Sequence, residues 1–184
     1  MLRFRDRIRT GVWLGERYRV GEVLEEGGMS VLFLGEDSRD DRPVVIKSVR
    51  QRGVRDQEKL ARFRREMQAA GRLHHPHIVR VLDGGESESG LPFLVMERLR
   101  GHSLQEELKT LGALPVATAL QWLLPIMGAL AHAHDQGVIH RDIKPANIYL
   151  SEQGVGRIAP KLLDFGVSIV TDTTRLTGSG KVVG

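Results

Sequence analysis

The stretch VIHRDIKPANIYL, from Val138 to Leu150, gathers Asp142, Lys144 and Asn147 between two apolar ends. A carboxylate, an ammonium and a carboxamide at i, i+2 and i+5 bring a proton acceptor, a cation and a neutral oxygen donor onto one short segment. Pro145 lies among them and lacks a backbone N–H, so a loop is expected there rather than a long helix. Three further polar residues stand out. Lys47 closes the apolar run VVIK, Glu66 sits within a helical stripe, and Asp164 follows an apolar run in KLLDFGVS. Each alone has an ordinary reading, as a solvated strand end, a surface glutamate or a turn.

The elements that must position these residues are legible from the hydrophobic pattern. RYRVGEVL, SVLFLGE and RPVVIKSV are β-branched or apolar runs separated by turn-forming residues, which predicts strands across 18–49. Between Asp56 and Leu73 the period becomes helical, with Leu60, Phe63, Met67 and Ala70 on one stripe. HPHIVRVLDGG and LPFLVME read as two more strands. From Pro115 a second helix is expected to present Leu120, Leu123, Leu124, Met127, Leu130 and Ala131 on one face and to end near Gly137. The fold class is α+β. A tail (1–17) precedes a mainly β first lobe with one key helix (18–96), and a mainly helical second lobe follows (97–184).

Composition narrows the function classes. With 184 residues and 41% hydrophobic content the chain can bury a sizeable core. It has no cysteine, which excludes disulfides and thiolate metal sites. No apolar run approaches the ~20 residues of a membrane helix, and MLRFRDRIRT lacks a signal-peptide core and reads as a solvated tail. We therefore expect no membrane segment and a cytoplasmic location. The net charge is +4, with the basic surplus concentrated between Arg50 and Arg80, and this reads as a solvated helix face. Aromatic residues make up 5%, too few for extensive base stacking, so no nucleic-acid partner is expected. His132 and His134 do not share a helix face, and His74, His75 and His77 lie in a Pro-containing connection, so neither group reads as a metal site. His140 is expected to pack beneath the Asp142 loop.

Taken in order, the chain offers a Gly-rich turn between strands, a strand Lys47, a helix Glu66, His140-Arg141-Asp142-x-Lys144-x-x-Asn147 and Asp164-Phe165-Gly166. This resembles the signature of the eukaryotic-type (Hanks-type) protein kinases. ERYRVGEVLEEGGMSVLFLGED and HPHIVRVLDGG look most like the bacterial Ser/Thr members, and the resemblance runs from about Glu16 to Gly184. It implies a kinase-like fold and ATP-dependent transfer of the γ-phosphate to protein Ser or Thr hydroxyls, a reaction governed by positioning and electrostatics. It further implies that Asp142 orients and deprotonates the hydroxyl, that Lys144 reaches the γ-phosphate, and that Lys47 holds the α- and β-phosphates while Glu66 fixes it. Asn147 and Asp164 would ligate Mg²⁺, with Mn²⁺ the alternative ion. Met96 would stand at the back of the adenine pocket, the backbone of Glu97 and Leu99 at the adenine edge, and Leu24, Gly27, Val31, Val45 and Tyr149 around the nucleotide.

The chain departs from the family pattern at several points. Glu25 stands at the first glycine of the Gly-rich loop and Ser30 at the third, leaving Gly27 in the middle, and weakened ATP binding is expected. Val45 replaces the usual Ala, Tyr149 exceeds the usual aliphatic residue, and SEQGVGRIAP reads as a surface loop. Arg141 and Arg62 are expected to grip a phosphate on the activation segment, with Thr177 or Ser179 autophosphorylated. The sequence stops at Gly184 inside that segment, so the second lobe is expected to be incomplete and the 184 residues alone an inefficient protein kinase. Two other readings stand beside this one: a nucleotide-binding, pseudokinase-like interaction module, and a small-molecule phosphotransferase of related fold.

Overall fold

Alternation along the first lobe builds an antiparallel sheet. The computed structural model describes residues 8–27, 30–49 and 57–165, apart from the side chains at 57–60, 62 and 66. Its strands are β1 (Trp13–Leu14), β2 (Tyr18–Glu26), β3 (Ser30–Asp37), β4 (Arg42–Val49), β5 (Val81–Glu86) and β6 (Pro92–Glu97), arranged β1-β2-β3-β4-β6-β5. The pleat sends alternate residues to opposite faces. One face buries Phe33, Val44, Ile46, Phe93 and Val95 in a cluster with Leu14, Tyr18 and Val20. The other carries Lys47 between its cross-strand partners Leu32 and Leu94, with Val45 opposite Met96. Helix α1 (Gln57–Arg72) packs Phe63 on Val49, and its Met67 reaches Leu94 and Val79.

The expectation of a solvated tail is corrected for residues 8–17. Ile8 and Leu14 are buried in the first-lobe core. The Gly11 amide donates to the Val20 carbonyl at 2.7 Å, and the Thr10 hydroxyl donates to the Gly21 carbonyl at 2.7 Å. Arg17 then forks onto the buried Asp37, at 2.9 and 2.7 Å, and reaches Asp83 at 3.1 Å. That guanidinium holds the Asp37 carboxyl below its usual range, so a buried carboxylate stays charged and paired. Two apolar residues and one fork of hydrogen bonds are enough to fasten a segment whose composition looks solvated.

The second lobe contains β7 (Gly101–Ser103), α2 (Leu104–Leu111), α3 (Val116–Asp135), β8 (Ile148–Glu152) and β9 (Ile158–Leu162), with a small sheet ordered β7-β8-β9. The run 151–160, expected as a surface loop, is a hairpin instead. Ser151 is buried, Leu150 pairs with Pro160, and the tip closes through the Gln153 amide on the Arg157 carbonyl at 2.8 Å. Helix α2 was not foreseen, although Ser103 and Glu106 form a reciprocal capping box at its start.

Helix α3 turns a different face inward from the one its leucines suggest. Trp122, Ile126, Ala129 and Ala133 are buried with Leu162 and Phe165, whereas Leu120, Leu123, Leu124 and Met127 are exposed. The helix is apolar on most sides, so periodicity alone does not choose a face, and the small alanines allow closer approach. By length and composition α3 is also apolar enough to cross a membrane, contrary to expectation, but its buried stripe lies in the protein core.

Gly101 joins the lobes with φ +128, and a Cβ there would be driven into the Leu150 carbonyl oxygen. Gly101→Ala should lower unfolding stability by about 3 kcal/mol or more, through strain and backbone clash together. Urea titration of the variant against the wild type measures this. A loss below the size of an ordinary surface substitution would show that β7 can shift away from β8.

Candidate active site

Lys47 projects from the inner face of the sheet, and its Nζ lies 2.7 Å from Asp164 Oδ1. The ammonium is largely buried, at 12% exposure, while Asp164 is 38% exposed. One charge therefore comes from β4 and the other from the segment after β9, and the pair spans the two lobes. A small cavity of about 30 Å³ lies behind the pair, lined by Phe63, Met67, Leu94 and Met96, and is far too small for a purine.

Asp142 sits on the loop before β8. The Lys144 ammonium donates to its Oδ2 at 2.7 Å, and the Asn147 amide donates to the same oxygen at 3.0 Å and to the Asp142 carbonyl at 2.7 Å. Lys144 first, then Asn147, hold the Asp142 carboxyl below its usual range, so it is ionised at neutral pH. The i, i+2, i+5 spacing thus brings two donor side chains onto one carboxylate oxygen, helped by the 3-10 turn at Pro145–Asn147.

The two centres are fastened through Leu163. Its amide donates to the Asn147 carbonyl at 2.8 Å. Its carbonyl accepts from His140 Nε2 at 2.8 Å, while His140 Nδ1 faces the Asp142 amide at 3.3 Å. A carbonyl can only accept and an amide can only donate, so Nε2 carries the proton and the ring is neutral. Burial pushes the His140 pKa down, which fits that tautomer. The ring also packs on Phe165 with centroids 4.9 Å apart. Arg141 and Asp164, flanking this junction, adopt φ of 63 and 39, in the left-handed region that side chains other than glycine rarely occupy.

A protein kinase domain model matches residues 18–180, most of the chain. The chain belongs to the protein kinase domain family. It is 41% identical over 180 residues to the probable serine/threonine-protein kinase PknB of Bifidobacterium longum, covering 92% of this chain and 26% of that protein. To the serine/threonine-protein kinase PrkC of Bacillus subtilis it is 38% identical over 174 residues, covering 95% and 26%. Among solved structures it resembles the kinase domain of PknI from Mycobacterium tuberculosis, with a TM-score of 0.72, 32% identity, and coverage of 88% of this chain and 64% of that one. The chain thus spans about a quarter of the length of the curated relatives it matches. Protein kinases in general use ATP and a divalent metal ion.

Within this protein kinase fold Asp142, Lys144, Asn147, Lys47 and Asp164 form one connected array. Val45, Met96 and Leu99 share a cluster with Val79 and Leu94 below the Lys47 face. Tyr149 donates its hydroxyl to the Gly101 carbonyl at 2.7 Å. Gly27 closes the turn of the Gly-rich hairpin through its amide on the Ser30 carbonyl at 2.9 Å, and Leu24 is exposed on an irregular stretch of β2.

Val31 is a correction. It pairs with Ser48 and packs on the opposite face, against the cluster of Phe33 and Ile46, whereas Leu32 stands opposite Lys47. Strand period two makes a one-residue error a change of face, so Leu32 replaces Val31 beside the site. The expected Lys47–Glu66 pair and the grip of Arg62 involve side chains outside the described residues, as do Thr177 and Ser179.

The buried neutral His140 makes this junction sensitive to acid. Its folded pKa lies below the ordinary imidazole value of 6.5, so the folded state binds fewer protons than the unfolded chain. The neutral ring's contribution is complete above pH 6.5 and is lost as pH falls through the lowered folded value. His75, held low by burial and by the neighbouring His132 and His77, adds the same sign. Thermal melts from pH 8 to pH 5 should show a fall in midpoint beginning near the ordinary imidazole value, and His140→Asn should flatten part of it. A midpoint that rose on acidification would contradict the neutral tautomer.

Proposed function

We propose that this chain carries the catalytic centre of a serine/threonine protein kinase, transferring the γ-phosphate of ATP to protein Ser or Thr hydroxyls. The observation that carries the reading is the linked pair of charged centres. The Asp142–Lys144–Asn147 cluster is tied through Leu163 to Asp164, which reaches Lys47 across the lobes. In that reading Asp142 accepts a hydrogen bond from the attacking hydroxyl and takes its proton. Lys144 lies 2.7 Å from Asp142 and is placed to neutralise the moving phosphoryl group. Lys47 exchanges Asp164 for the α- and β-phosphates. Val45, Leu32, Met96, Leu99 and Tyr149 surround the purine, and the backbone of Glu97 and Leu99 reads its edge.

The metal fits the donor set. Asp164 and Asn147 offer a carboxylate and a carboxamide oxygen, and the Asn147 carbonyl bonds the residue next to Asp164. Among the described residues no three His, Asp or Glu side chains form a closed cage. Mg²⁺ suits such a site, because it is usually held by one or two protein oxygens together with phosphates and water; Mn²⁺ is the alternative. Bound there, the ion would neutralise charge on the phosphate oxygens. Autophosphorylation at Thr177 or Ser179, with Arg141 as the phosphate's partner, belongs to the same reading. A cytoplasmic setting suits a chain that uses ATP and has no cysteine. A non-catalytic module is less favoured, because it has no need of an ionised Asp142 flanked by an ammonium.

Two experiments test the assignment. Asp164→Asn should abolish Mg²⁺-dependent ATP binding measured by calorimetry. Asp142→Asn should keep that binding while phosphate transfer falls by about a hundredfold or more. Equal loss of ATP affinity in both variants would remove the division of roles. Glu25 pairs with Leu32, which stands opposite Lys47, so the exposed carboxylate lies in the same cross-strand row as Lys47, two strands away. Glu25→Gly should tighten ATP binding a few-fold, as expected for an exposed charge, and leave adenosine binding unchanged. An equal gain for adenosine would assign the effect to loop order instead of charge.

A further inference from the structure

The five residues that join the lobes, Glu97 to Gly101, are held at both ends by a single pair of neighbouring side chains. Tyr149 on β8 and Lys161 on β9 are cross-strand partners, so they rise from the same face of the second-lobe sheet. Lys161 Nζ donates to Glu97 Oε1 at 2.6 Å, with the two side chains only 12% and 28% exposed. Tyr149 donates its hydroxyl to the Gly101 carbonyl at 2.7 Å. One partner therefore fixes the start of the joining segment and the other its end.

The Glu97 end is braced further. Its carboxylate accepts the Arg80 amide at 2.8 Å while its own amide donates to the Arg80 carbonyl at 3.0 Å. The strip before Arg80 is bonded in turn to β9, through the Leu162 amide on the His77 carbonyl and the Val79 amide on the Leu162 carbonyl. Glu97 is thus connected to β9 twice, once by the Lys161 side chain and once by backbone. A partly buried ion pair with a shared backbone donor is rigid, because moving either group leaves a charge poorly solvated.

We propose that Tyr149 and Lys161 act as positioning residues, a two-point clamp that sets the direction of the backbone groups between Glu97 and Gly101 for purine recognition. The purine part rests on the nucleotide reading above; the clamp itself does not. The clamp also gives the large side chain of Tyr149 a task, since an aliphatic residue there has no hydroxyl to reach the Gly101 carbonyl.

Amide exchange of the ligand-free chain tests the clamp directly. Tyr149→Phe, which removes one oxygen, and Lys161→Met should each speed exchange across 97–101 by about tenfold, the size expected for losing one such bond, and Lys161→Arg should restore protection. Unchanged exchange in Tyr149→Phe, the variant least able to disturb folding, would overturn the clamp whatever ligands do. Titrations with adenosine, ATP and inorganic tripolyphosphate test its purpose. Adenosine and ATP should each bind about tenfold more weakly to both variants, with tripolyphosphate unaffected. Equal weakening of adenosine and tripolyphosphate would overturn purine positioning. Wild-type chain that binds neither adenosine nor ATP would overturn the nucleotide reading and this purpose, while the exchange data would still decide whether the clamp exists.

Discussion

Leu163 has one backbone donor and one backbone acceptor, and both are committed to the loop that carries Asp142. The rest of the candidate site's geometry depends on that double commitment. Backbone groups near the core cannot be left unpaired without a cost comparable to a lost hydrogen bond, so the loop and the end of β9 are locked in register. His140 is the adaptor between them. One ring nitrogen meets the Asp142 amide and the other the Leu163 carbonyl, which turns an imidazole into a spacer of fixed length. With that spacing set, Arg141 and Asp164 can be held at positive φ, a conformation that costs of order 1–3 kcal/mol each and persists only where the surroundings dictate it.

The first lobe rides on this junction rather than beside it. The strip 77–80 is bonded to β9 through Leu162 and to Glu97 at the end of β6, so the six-stranded sheet and the second lobe share a strip of backbone. Lys47 crosses above that strip to Asp164. The face of the sheet opposite Lys47 is closed by Phe33, Ile46 and Val95, and it depends in turn on Ile8 and Leu14 from the segment before β2. The placement of Lys47 is therefore supported by residues far from it in sequence and chemistry.

The residues that could do chemistry were legible because their types and order are restrictive: a carboxylate, an ammonium and a carboxamide on one Pro-containing loop have few uses together. The strands of the first lobe were legible for the same kind of reason, since β-branched runs between turn residues leave little choice. What escaped was information held in pairings. Val31 and Leu32 are equally apolar, and only the register with Lys47 and Ser48 says which faces inward. The hairpin at 151–160 reads as polar and Gly-rich, yet Ser151 and Pro160 are buried by partners elsewhere. The start of α2 could have been found, because Ser103 and Glu106 form a capping box with a recognisable spacing. Of the clamp residues, Tyr149 stood out only by its size and Lys161 not at all, since their pairing appears only when β8 and β9 lie side by side.

The outward face of α3 has a thermal consequence. Val116, Leu120, Leu124 and Met127 are 76%, 51%, 58% and 62% exposed in the folded chain. Water already in contact with the exposed part of those side chains is present before and after unfolding, so that part of their surface adds nothing to the heat-capacity increment. Helix α3 therefore adds less to the increment than the same helix covered on every side would. A smaller increment bends the stability curve less. The folded state accordingly gains less from an optimum temperature and loses less on cooling than a domain of equal length whose long helix is covered on every side.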